Sequence, residues 1–205
     1  MRVSAFVLLI ILLTWGSGCG IPQQPAPAKA LFLLNLEPEV STRIAALPGC
    51  LQLRTVAVQS SFAGTALLYR TGEVTFEKDY YNQFLTAPDQ QLNDLLPLRL
   101  RSAGVVLCGN GTNSSTKHLT LEPHLEALYA DFRTPAAPTA VAKMRFVVIE
   151  LDRSCHCSTV VLDKTVEAAI PLPEKPSAET VVKAMSEAIN TVLAQLDTAV
   201  KQQYQ

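Results

Sequence analysis

The stretch "HLTLEPHLEALYADF", residues 118–132, decides the fold. Its apolar residues first take odd positions, Leu119, Leu121 and Leu125, and then even ones, Leu128, Ala130 and Phe132. Alternation of period two marks a strand with one buried face, and such a strand changes its buried parity only where an extra residue is inserted. The shift therefore predicts one long strand with a β-bulge near Glu126. Two more strand-like stretches follow, "TAVAKMRFVVIELD" (139–152) and "STVVLDKTVEAAI" (158–170), set apart by the turn-forming "RTPAAPT" and "RSCHCS". Together they predict an antiparallel meander. Ser177, after Pro176, is placed as an N-cap. Behind it Val181, Met185, Ala188, Val192, Leu196 and Ala199 recur at helical spacing over about six turns, a stripe that needs a sheet to cover.

Upstream, "LFLLNL" (31–36) and "LQLRTVAVQSSF" (51–62) read as strands, and "GTALLYRTGEVTFEKDYY" (64–81) reads as a hairpin turning at Thr71 and Gly72. Pro88 suits a first helical turn, with Leu92, Leu95 and Leu96 supplying an apolar face as far as Arg101, and Pro97 is expected to kink or end that helix. "AGVVLCG" (103–109) reads as a short buried strand, followed by the polar loop "GNGTNSSTK" that holds Asn110 and Asn113. The order of these elements predicts an α+β fold, a mixed and largely antiparallel sheet packed against two main helices, the longer at the C-terminus.

Residues 1–18 have a different character. Arg2 is the only charge before Lys29, and Val3 to Leu13 form an apolar run of about a dozen residues, the length of a signal-peptide core and too short to span a bilayer. Gly16, Ser17 and Gly18 then lead to Cys19. The arrangement resembles the bacterial lipobox, with Gly16 where leucine is usual. The resemblance implies cleavage before Cys19, acylation of its sulfur and of the new amino terminus, and, because Gly20 is not aspartate, an outer-membrane anchor facing the periplasm. Residues 19–30, with three prolines and no hydrophobic period, read as a lipidated, semi-rigid tether. Residues 31–202 are expected to form a single domain.

A formal charge of -1 with no basic stripe argues against nucleic acid as a partner. No G-x-S-x-G, phosphate-cradling glycine loop or H-E-x-x-H occurs, so neither an enzyme nor a cofactor is expected. His118 and His124 would stand about 20 Å apart on one strand and cannot share a metal unaided. Cys155, His156 and Cys157 have ligand chemistry suited to zinc or copper, but they offer only three ligands in one turn. Beyond Cys19 the chain holds Cys50, Cys108, Cys155 and Cys157, an even set of the kind exported chains use for disulfides. Three pairings exist; Cys50 with Cys108 is favoured because both flank core strand candidates, whereas a Cys155 to Cys157 bond would be strained. Tyr69 and Arg70 are candidates for partner contact, against the plainer reading in which Tyr69 packs and Arg70 is solvated. Asn190, on the apolar stripe, is expected to bond a loop or strand-end carbonyl.

The run "ALLYRTGEVTFEKDYYNQFLTAPDQQLNDLL" resembles the core of the ABC-type transport auxiliary lipoprotein family: a hydrophobic-Tyr-Arg strand, a tyrosine, an aromatic segment, a proline and a leucine-rich helix. The matching residues are Leu68, Tyr69, Arg70, Tyr80, Tyr81, Phe84, Pro88, Leu92 and Leu96. "LEALYADF" and "AMSEAINTVLAQL" resemble that family's later strand and last helix, and the tryptophan often found before the proline is absent here. The resemblance implies a non-enzymatic, outer-membrane component of paraquat-inducible-type or other mammalian-cell-entry-type systems that move phospholipid or related hydrophobic molecules. Its implied partners are a periplasmic conduit protein and an ABC transporter or multi-pass membrane component, and a homo-oligomer is implied as well. The alternative reading is a structural or assembly lipoprotein of another envelope complex.

Overall fold

The computed structural model describes residues 28–38, 47, 49–109, 117–152 and 154–204. Among them lie, in chain order, β1 (Ala30–Phe32), β2 (Leu51–Leu53), β3 (Ala57–Val58), β4 (Ala66–Arg70), β5 (Phe76–Phe84), α1 (Pro88–Ser102), β6 (Lys117–Asp131), β7 (Thr139–Asp152), β8 (Cys157–Pro171) and α2 (Ala178–Gln203). A single 3-10 turn at Ser60–Phe62 follows β3.

The stretch at 118–132 is the spine of the sheet. One edge of β6 pairs antiparallel with β7 along its whole length, and β7 pairs in the same way with β8. On the other edge three short strands lie end to end and parallel to β6: β2 at Leu51↔Leu119, β3 at Ala57↔His124 and β4 at Tyr69↔Ala130. β4 then pairs antiparallel with β5, and β1 closes that side parallel to β5. The fold is therefore α+β, a mixed sheet packed with two helices, the longer one C-terminal.

The parity shift in β6 is a bulge. Leu125 pairs with Met144 and Ala127 with Lys143, which leaves Glu126 as the extra residue, and its carboxylate pairs with Lys143 at 3.3 Å. On either side of it Leu119, Leu121, Leu125, Leu128 and Ala130 are buried with Met144 and Phe146 of β7 and Met185, Ile189 and Leu193 of α2. Full burial of each large apolar side chain contributes about 1.5–3 kcal/mol. Ser177 caps α2 by accepting a hydrogen bond from the Thr180 amide (3.2 Å). Asn190 sits at the rim of the stripe, where its Nδ2 donates to the Asn35 carbonyl (3.1 Å) and its Oδ1 accepts from the Glu37 amide (3.1 Å).

Four elements differ from the sequence reading, each for a local reason. Of the two outcomes expected at Pro97, an end is overturned: α1 runs on to Ser102, because Leu92, Leu95, Leu96 and Leu100 are all buried in the shared core and outweigh one missing amide bond. It ends in a Schellman motif, with Gly104 at φ 88° donating to the Arg101 carbonyl and Val105 to the Leu100 carbonyl (both 2.9 Å). "AGVVLCG" is not a strand: it meets the three-residue β2 at the single bridge Leu51↔Leu107, and Val106 is exposed. "LFLLNL" stops being a strand at Phe32, since the amides of Leu34 and Asn35 are taken by Gln91 Oε1 (2.9 Å) and Ser186 Oγ (3.0 Å) instead of a ladder. "LQLRTVAVQSSF" divides into β2 and β3 because Val56, between them, donates to Asn93 Oδ1 (2.8 Å) on α1.

The two helices are also tied by a buried ion pair. Arg99 of α1 donates through Nη2 to Asp197 of α2 (2.5 Å) and through Nη1 to the Glu37 carbonyl (2.9 Å), with both side chains more than nine-tenths buried. Burial pushes the Asp197 carboxyl above its ordinary value, and the charge and hydrogen bond of Arg99 draw it back only in part. Among the described residues no helix is long and apolar enough to cross a membrane.

Candidate functional site

Tyr69 and Arg70 end β4, and strand alternation sends them to opposite faces. Arg70 folds onto the hairpin turn that follows it. Its Nη2 donates to the Glu73 carbonyl (2.8 Å), its Nε donates to the Gly72 carbonyl (3.3 Å), and the guanidinium lies 5.7 Å from the Phe76 ring centroid. Glu73 also meets Arg133 (3.1 Å), which pairs with Asp131 (2.8 Å). The arginine thus fastens the turn. Beside it Phe62, Phe76 and Tyr129 form an aromatic trio, with ring centroids 5.4–5.9 Å apart.

Tyr69 faces the other way and meets Phe132 edge-on at 5.7 Å. Its hydroxyl donates to Asp79 Oδ2 (2.9 Å). Burial, then the hydrogen bond to Asp79 and the nearby negative charge, push the Tyr69 phenol well above its ordinary range, so it is a fixed donor at every physiological pH.

Asp79 organises an unusual piece of β5. Ala66 pairs with Gln83 and Leu68 with Lys78, so Asp79, Tyr80, Tyr81 and Asn82 together oppose Leu67 alone. Bulges of this kind re-aim side chains. The surplus backbone is held by the aspartate: Oδ1 accepts from the amides of Tyr81 and Asn82 (both 2.9 Å), and Oδ2 accepts from Asn82 Nδ2 (2.8 Å) as well as from Tyr69. Desolvation alone would raise the Asp79 pKa, but these donors outweigh it and hold the carboxyl below its ordinary value.

The consequence for stability has a definite sign. A depressed folded pKa means that Asp79 stabilises the protein above the ordinary carboxylate range, and that this contribution is lost as pH falls through the depressed value. Asp79→Asn is expected to cost about 1 kcal/mol at neutral pH, the scale of hydrogen bonds to a part-exposed charged group. The gap between variant and parent should close as pH is lowered toward 3 in urea unfolding, and a gap independent of pH would refute this role.

Held this way, Tyr80 and Tyr81 project outward with their rings 5.2 Å apart, and the Lys29 ammonium lies 4.2 Å from the Tyr80 ring centroid. The site offers two phenol rings, Leu31 of β1, Leu33 just after it and one cation. It is an exposed, largely apolar surface. On the inner side of the bulge, Tyr69, Glu77, Asp79, Phe132, Glu174 and Lys175 border an open cleft of about 410 Å³.

The other candidates are placed as follows. Cys19, Asn110 and Asn113 lie outside the described residues. Cys50 and Cys108 are joined in a disulfide, Cα atoms 5.0 Å apart, tying the residue before β2 to the segment after α1. His118 Nδ1 stands 3.7 Å from Cys50 Sγ, so two sulfurs and an imidazole come within 4.8 Å of one another, with the sulfurs already bonded to each other. Cys155 and Cys157 are joined as well, across the β7 to β8 turn in which His156 takes φ 55°, so their thiols are not available as the ligand set considered from sequence. The sequence reading missed Asp79; the available signal was Asp followed three residues later by Asn, "DYYN", a turn-forming spacing inside a strand.

No family model and no curated protein matches the chain. Solved structures do resemble it. A Xanthomonas campestris protein of the DUF330 family superposes with a TM-score of 0.63 at 14% identity, covering 86% of this chain and 94% of that one. An uncharacterized protein superposes at 0.56 with 17% identity, covering 87% and 99%. A hypothetical protein from Chlamydia trachomatis reaches only 0.48 at 10% identity, covering 75% and 98%. At these identities the first two likenesses show a shared fold alone.

Proposed function

We propose that this chain is a lipid-anchored, non-enzymatic component of an envelope transport assembly. It is held at the outer membrane, faces the periplasm, and serves a mammalian-cell-entry-type conduit with an ABC transporter or multi-pass membrane component in moving phospholipid or related hydrophobic molecules. The observation that carries the reading is Cys19, set directly after an apolar export-signal core and small residues and ahead of a proline-rich tether. The order of Tyr69, Arg70, Tyr80, Tyr81, Phe84 and Pro88 supports it through the family resemblance. The two disulfides suit an oxidising compartment. The bulge that displays Tyr80 and Tyr81 supports it by leaving two aromatic rings exposed.

Deletion of the gene together with its neighbours tests the reading. Increased outer-membrane permeability to detergent and an altered distribution of phospholipid between the two membranes are the expected results. Unchanged behaviour in both would sink it.

A further inference from the structure

The exposed apolar residues are not spread evenly, and one group of them gathers where the tether enters the domain. Leu31, Leu33, Leu85, Tyr80 and Tyr81 are 56%, 55%, 57%, 65% and 42% exposed. They belong to one edge of the molecule. β1 pairs with the end of β5 at Leu31↔Gln83, the Leu85 amide donates to the Phe32 carbonyl (2.8 Å), and Lys29 stands over Tyr80. Strand alternation explains why they face out: Phe84 turns into the core and Phe32 packs against it, so Leu31, Leu33 and Leu85 take the opposite face. The Asp79 carboxylate nearest the tyrosines is turned inward onto its four donors, and Lys29 supplies positive charge at the patch.

We propose that this edge is a bilayer contact: the rings of Tyr80 and Tyr81 and the side chains of Leu31, Leu33 and Leu85 enter the headgroup layer of the anchoring membrane, with the Lys29 ammonium among lipid phosphates. Tyrosine suits that layer because its ring is apolar and its hydroxyl stays wet. The occupant follows from the chain that leads to the patch. Ten residue steps separate Cys19 from Lys29, about 31 Å if the proline-rich segment is extended at about 3.1 Å per residue. The tether leads into the patch at Lys29, so along the chain this edge is the first described surface after the anchor. An anchor that close supplies lipid at an effective concentration in the millimolar range, enough for a patch too weak to hold membrane by itself. The inference rests on the reading of Cys19 as acylated.

The test is hydrogen exchange of the full acylated chain on vesicles of phosphatidylethanolamine and phosphatidylglycerol, against the full chain with Cys19→Ser in buffer. Peptides covering 29–33 and 80–85 are expected to exchange at least about threefold more slowly on vesicles, while peptides holding the exposed Leu98 and Val160 remain unchanged. Tyr80→Ser and Leu31→Ser, both at exposed positions, should each reduce that protection. An acylated chain with no protection at the patch leaves the anchor intact and overturns the proposal. Protection that appears without vesicles and grows with protein concentration also overturns it, in favour of a second copy of the chain. If mass spectrometry finds Cys19 unmodified, the anchor reading fails and the contact that rests on it is overturned with it, whereas an acylated but unprotected chain overturns the contact alone.

Discussion

Asp197→Ala is expected to destabilise the protein by about 3–5 kcal/mol in urea unfolding, because it strands the Arg99 guanidinium in the core. Arg99 is only 5% exposed, and its Nε has no partner among the described residues, so few contacts remain to replace the lost carboxylate. The pair itself is another matter. Burial already works against the Asp197 charge, and replacing a buried ion pair with apolar groups of similar volume is often neutral or stabilising. The double variant Arg99→Met with Asp197→Leu should therefore recover most of the loss, the remainder being the hydrogen bond to the Glu37 carbonyl. A single variant costing less than about 1 kcal/mol would show that water reaches the pair.

Cys19→Ala should remove the protein from the outer-membrane fraction by more than tenfold, leaving it as released domain or as uncut precursor. The magnitude follows from acyl chemistry: one chain binds a membrane marginally, but each buried methylene adds about 0.8 kcal/mol and two or more chains make the attachment durable. Mass spectrometry of the parental amino terminus should find an acylated Cys19. An unmodified chain that begins elsewhere, or unchanged outer-membrane levels of the variant, would contradict the anchor.

The long elements of this fold were legible because their periodicity is local. The parity change across Glu126 shows as a bulge in one strand, and the stripe from Val181 to Ala199 with Ser177 before it gives the terminal helix and its cap. Asn190 bonding a loop carbonyl followed from the cost of an unpaired polar group on an apolar face. What remained hidden depends on distant partners. Nothing within "LQLRTVAVQSSF" shows that Asn93, 37 residues from Val56, takes an amide from between β2 and β3. Pro97 reads as a kink or an end, and the choice between them rests on Leu100 being buried on the far side of it.

The site was legible only in part. Tyr69 and Arg70 drew attention as residue types that favour contacts, yet both are engaged in holding the hairpin, Tyr69 through Asp79 and Arg70 through the turn carbonyls. The residues left outward are Tyr80 and Tyr81, and that outcome depends on four bulged residues that period-two reading of "FEKDYYNQF" counts as regular strand. Arg99 and Asp197 had a signal that was not used: each is a charge set among buried leucines, Leu96 and Leu100 around one and Leu196 beside the other.

Affinity purification of the full acylated chain from its own membranes, followed by identification of what accompanies it, tests the central claim most directly. A mammalian-cell-entry-type conduit protein with its transporter or multi-pass partner is the predicted result, and recovery of secretion or peptidoglycan-linked proteins alone would contradict it.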